Sequence, residues 1–93
     1  MVELWPSAEP RRHERVDRAR QLFGGDAEVA LDVLELTELA WHDCFGEITP
    51  PDSVIDDIWL VSAGDLRELV VAARLAVTDH RDLRMAANRL RAP

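Results

Sequence analysis

Apolar residues recur at helical spacing along most of this chain, and no stretch alternates apolar with polar residues as a half-buried strand does. The clearest pattern lies between Asp26, a suitable helix N-cap, and Gly46, a suitable helix end. Acidic residues and His42 share one side of this segment, although Leu31 and Leu39 project from within that side. The pattern predicts an amphipathic helix over 27–45. Its opposite, apolar side is formed by Ala30, Val33, Leu34, Thr37, Ala40, Trp41 and Cys44.

The flanking segments carry further helix signals. Gly24 and Gly25 end a segment whose apolar face is narrow, and such a helix lies on a surface rather than through a core. Thr49 followed by Asp52 resembles a capping box. These signals predict further helices over 8–23, 50–61 and 65–91. Residues 1–7 are predicted to form an N-terminal arm, because prolines stand at positions 6 and 10 and no helical period is present.

The C-terminal segment leaves one alternative open. Apolar residues step by three and four from Leu66 to Leu90, with His80 on the same line, and this unbroken seam favours one long helix. Thr78 and Asp79 are suitable caps for a separate fifth helix. We therefore predict one all-α domain over 1–93, with Trp41 and Trp59 largely buried. It is a small bundle of four helices, or of five if the last segment divides, with a long C-terminal helix and an N-terminal arm.

Composition and charge narrow the function classes. The chain has 93 residues, of which 47% are apolar, and its formal net charge is −7. Residues 26–66 contain eleven acidic residues and no Arg or Lys, whereas the flanking segments carry all eleven arginines. The acidic balance argues against nucleic acid as the main partner, because phosphate binding needs a basic surface. We expect Arg67, Arg74, Arg81 or Arg84 to reach carboxylates of the acidic segment.

Candidate chemistry is sparse. No apolar run is long enough to cross a membrane, and the single Cys44 is typical of a cytoplasmic protein without disulfides. We expect Cys44 to lie in the core. Glu35, Glu38 and His42 share a helix face, but they lack the Glu-x-x-His spacing of di-metal bundles, so a solvated acidic face is favoured over a metal site. The chain also lacks catalytic motifs, so we expect neither an enzyme nor a cofactor.

These features favour a non-catalytic module that associates with a protein partner, either as a homodimer or as an adaptor. We expect no membrane or nucleic-acid partner. Apolar side chains outside the predicted core faces supply the contacts, with a charged rim around them. The predicted partner-binding residues are Trp5, Leu31, Leu39, Val71 and Leu75, with Glu35, Glu38, Asp56 and Asp57 as the rim. The alternative is an acidic neutralising protein, analogous to immunity proteins or DNA mimics, that blocks a basic surface. A small metal-binding or enzymatic protein is the third hypothesis.

Overall fold

The computed structural model describes residues 8–92, and within that range the protein is all-α, with no strand. The predicted arm, including Trp5, lies outside the described residues. The helices are α1 (Ala8–Phe23), α2 (Ala27–Phe45), α3 (Asp52–Ser62), α4 (Leu66–Thr78) and α5 (His80–Arg91).

A short 3₁₀ turn, Gly24–Asp26, joins α1 to α2, and both helices have the predicted bounds. Gly24 adopts a φ of +55°, a backbone conformation that glycine reaches without steric strain. The turn lays α1 along α2. As its narrow apolar face predicts, α1 buries only Ala19 and Phe23 in the core.

The start of α3 differs from the prediction. The helix begins at Asp52 rather than at residue 50, and Pro51 precedes it without a side-chain capping bond. Thr49 does not cap this helix, because the helix starts two residues later than predicted, and its hydroxyl accepts a hydrogen bond of 3.3 Å from Arg15 Nη2. The capping box is therefore replaced by a contact between the loop and α1.

The prediction of one helix over 65–91 is wrong, because the chain breaks at the alternative position. Helix α4 ends at Thr78, and Asp79 leaves helical geometry with a φ of −158° and a ψ of 82°. The Asp79 carboxylate accepts a hydrogen bond from the backbone N–H of Asp82 at 3.2 Å and so caps α5. This break lets α5 fold back to pack against both α3 and α4.

The core draws side chains from every helix, with Leu34, Ile58, Leu69 and Leu83 fully buried at its centre. Trp41 and Trp59 retain 4% and 2% of their exposure, which confirms the prediction that both are buried.

Three residues differ from the prediction in how far they are buried. Leu31 is buried in the core, Cys44 is exposed, and His80 is exposed against the rings of Trp41 and Phe45. For Leu31 the reason is that α1 covers the acidic side of α2, so the buried sector of α2 extends into that side. Cys44 lies in the last turn of α2, and His80 is the first residue of α5, where neighbouring helices cover less of the surface.

Candidate interaction surfaces

The acidic face of α2 is ion-paired with arginines of α1. Arg12 Nη1 donates to Asp32 at 2.9 Å and to Glu35 at 3.0 Å, and Arg12 Nη2 donates to Glu28 at 2.6 Å. Although burial opposes its charge, the carboxylates of Glu35, Asp32 and Glu28 raise the pKa of Arg12 above its ordinary value. One cation thus binds three carboxylates at successive turns of α2.

Glu38 anchors the same pair of helices from a fully buried position. Arg11 binds it with two nitrogens, Nη2 lying 3.0 Å from Oε1, and Arg15 Nη1 donates to Oε2 at 3.1 Å. Burial alone raises the pKa of this carboxyl, but hydrogen bonds from Arg11 and Thr49 and the charge of Arg15 outweigh burial and lower it. Glu38 therefore stays charged inside the protein.

Asp57 is a second buried carboxylate, and it joins α3 to α5. Its side chain is 1% exposed, Arg84 Nε donates to Oδ2 at 2.6 Å, and Arg91 Nη1 lies 2.8 Å from Oδ1. The prediction that a C-terminal arginine reaches the acidic segment is confirmed by Arg84.

The predicted charged rim is therefore wrong in part. Glu38 and Asp57 are buried and ion-paired, Glu35 is half-buried beside Arg12, and only Asp56 is exposed, paired with Arg18 at 3.0 Å. The sequence showed the excess of acid in this segment but not which arginines would meet it.

A mainly apolar groove lies on the surface of the described residues between α2 and α4, with a volume of about 230 Å³. Two large apolar side chains that line it are strongly exposed, Leu36 at 65% and Val70 at 45%, and Val29, one turn before Val33 on α2, is 49% exposed. We call it the α2–α4 groove. It is lined by Val33, Leu36, Thr37, Ala40, Val70, Ala73, Arg74 and Val77.

The predicted apolar contact residues fall in different places. Leu31 is in the core, Leu39 is half-buried, and Trp5 lies outside the described residues. Val71 is 49% exposed and Leu75 half-buried, and both line a separate shallow site with Arg74 and Thr78. Sequence reasoning missed the α2–α4 groove, although its signal is present. Val29, Val33, Leu36 and Ala40 step by four, three and four, which marks a second apolar line on α2.

A second, wider groove of about 650 Å³ lies where α2, α3 and α5 meet. The rings of Trp41, Phe45 and His80 pack against one another there, with centroids 4.2 to 5.9 Å apart, and Trp41 Nε1 donates to Glu47 at 3.1 Å. The Asp57 carboxylate on its wall is already paired with Arg84. The aromatic rings of this groove, together with Glu47, Asp57 and Arg84, thus have partners within the fold.

Comparison with protein-family models, with curated proteins and with solved structures gave no match. Within residues 8–92, no three His, Cys, Asp or Glu side chains form a group able to hold a metal ion. None of the helices described above combines the length and the apolar character needed to cross a membrane.

Proposed function

We propose that this protein is a non-catalytic association module and that the α2–α4 groove is its binding surface. The observation that carries the proposal is the pair of exposed apolar side chains on the two walls of this groove, Leu36 of α2 and Val70 of α4, with the exposed Val29 farther along α2. Leu36 alone leaves about two thirds of its surface in water. Apolar patches of this kind on small proteins are typical of interfaces.

The alternative of an acidic neutralising protein receives less support. Such a protein needs its carboxylates free to meet a basic partner. Here Glu28, Asp32, Glu35 and Glu38 are bound by arginines of α1, and Asp57 by arginines of α5. Six of the eleven carboxylates in the central segment are thus ion-paired with arginines of the fold.

Site-specific photo-crosslinking tests the association function. A photoreactive phenylalanine analogue is placed at Leu36 and, in a separate variant, at Leu90 of α5, which is 60% exposed and serves as the matched control. In the cells that naturally produce the protein, we expect a discrete crosslinked product from position 36 and none from position 90. Adding Val70→Glu should remove the product from position 36.

Two results would contradict this function. One is the absence of any discrete product from position 36. The other is an equal product from position 90, or one that persists with Val70→Glu, since neither depends on the α2–α4 groove.

A further inference from the structure

We infer that the occupant of the α2–α4 groove is a second copy of this chain, related by a twofold axis that runs along the groove. This inference rests on the association function proposed above and names its partner. Such an axis places α2 of one copy over α4 of the other, so each exposed apolar line covers the other.

The charges beside the groove favour this arrangement. On the α4 side, Arg74 lines the groove and Arg67 lies two turns before it, and both are exposed. On the α2 side, Asp32 and Asp43 lie four residues before and seven residues after Leu36, and both are exposed. The groove therefore has an acidic side and a basic side.

Twofold pairing brings the acidic side of one copy to the basic side of the other. Asp32 is well placed for this role, since its side chain is 64% exposed although it shares Arg12 with Glu35. Helices α2 and α4 run parallel, because Gly64 lies close to Leu22 at one end and His80 packs on Trp41 at the other. A twofold axis along the groove keeps each residue at its own height, so we expect Asp32 of one copy to meet Arg67 of the other.

Other occupants fit this surface less well. An anionic membrane would be repelled by Asp32 and Asp43, and nucleic acid by the net charge of −7. A second copy of the chain matches this surface, because it presents the same apolar residues and, after the twofold rotation, the opposite charge at each side of the groove.

The groove offers a small contact area, which is typical of a weak dimer. Helix α4 has 13 residues and is therefore about 20 Å long, and two packed helices present a face about 18 Å wide. The resulting footprint, on the order of 400 Å² per copy, is about half that of a standard stable interface. We expect a dimer with a dissociation constant in the micromolar range.

Sedimentation equilibrium of the purified full chain across the micromolar range is the first test. The wild type should approach twice the monomer mass of 10.5 kDa. Val70→Glu should raise the dissociation constant at least about tenfold, because a charge enters the apolar contact of both copies. Val71→Glu is the matched control, since it is the same change at an adjacent position of similar exposure outside the groove, and it should leave the constant within about twofold.

A charge exchange tests the twofold pairing itself and does not depend on Val70. Asp32→Arg and Arg67→Asp should each weaken the dimer alone, because each places like charges opposite one another. Mixing the two variants should restore dimers, since every contact between the two different chains is then between opposite charges.

A wild type that stays at the monomer mass would overturn the inference, as would a dimer that Val71→Glu disrupts and Val70→Glu does not. Failure of the mixed variants to recover dimers would overturn the twofold pairing. These failures differ from failure of the proposed function. A monomeric chain that still crosslinks from position 36 to a different protein is an adaptor, whereas a monomer without any crosslink has neither property.

Discussion

Glu38 shows at the scale of single residues how this protein keeps a charge in its interior. Its carboxylate is inaccessible to solvent, yet Arg11, Arg15 and Thr49 surround it, and together they lower its pKa. Removing one member of such a group leaves the others buried without their counter-charge, which costs more than the net stabilisation of the intact group. Asp57 repeats the arrangement with Arg84 and Arg91.

The first prediction concerns Glu38 and pH. Because the folded-state pKa is lowered, the stabilisation is fully present above the unfolded value near 4.5 and is lost as pH falls through the folded value. Glu38→Gln should reduce the free energy of unfolding by about 3 kcal/mol at pH 7. The gap between variant and wild type should narrow progressively below about pH 4.5.

Urea unfolding at a series of pH values measures both effects. Glu35→Gln is the control, because Glu35 is half-exposed beside Arg12, and it should cost less than about 1 kcal/mol. A gap for Glu38→Gln that stays constant down to pH 3 would show that the buried charge is not the cause.

At the scale of elements, the junction between α3 and α4 contains two neighbouring residues with a positive φ, of which only the second is a glycine. Ala63 ends α3 with a φ of +49°, a conformation that costs an L-residue about 1 kcal/mol. Gly64 has a φ of +81°, and a Cβ at this position would lie 2.4 Å from the backbone oxygen of Leu22 in α1. The junction thus packs directly on the end of α1.

The second prediction follows from this contact. Gly64→Ala should reduce the free energy of unfolding by more than about 2 kcal/mol, since the backbone of α1 has to move and the positive φ adds strain. Ala63→Gly is the matched control, and it should be neutral or stabilise the protein by up to about 1 kcal/mol. Equal effects of the two changes in urea unfolding would contradict the close approach.

The break between α4 and α5 shows what sequence patterning leaves undecided at this scale. The apolar steps through residues 65–91 suit one straight helix and two shorter ones equally well, because both present the same residues to a core. The Asp79 cap and the packing of α5 against α3 decide for two. Only Thr78 and Asp79 signalled the break in the sequence.

At the scale of the whole molecule, the charge distribution holds the outer helices in place. The central segment carries the acid, and arginines from both flanking segments bind it, Arg11, Arg12 and Arg15 from α1 and Arg84 and Arg91 from α5. The α2–α4 groove lies apart from these ion pairs, and its lining contains no residue of α1 or α5.

The third prediction is that thermal stability depends on protein concentration. Association of folded chains stabilises them by mass action, so the Tm of the wild type should rise by a few degrees for each tenfold increase above the dissociation constant. Differential scanning calorimetry should show the same rise for Val71→Glu and none for Val70→Glu. A wild-type Tm independent of concentration would contradict association of the folded chains.

The sequence by itself determined the all-α fold, the bounds of α1 and α2, the burial of Trp41 and Trp59 and the attraction between the arginines and the acidic segment, because helical periodicity, capping residues and charge are local properties. Only the tertiary structure decided how far the buried sector of α2 extends into its acidic side. Periodicity places Leu31 and Leu36 on or beside the acidic side, but it contains no information on what covers that side. Once α1 neutralises the carboxylates there, Leu31 enters the core and Leu36 remains outside. The candidate interface is therefore set by long-range ion pairs, since contacts between residues 16 to 27 positions apart do not appear in local patterns.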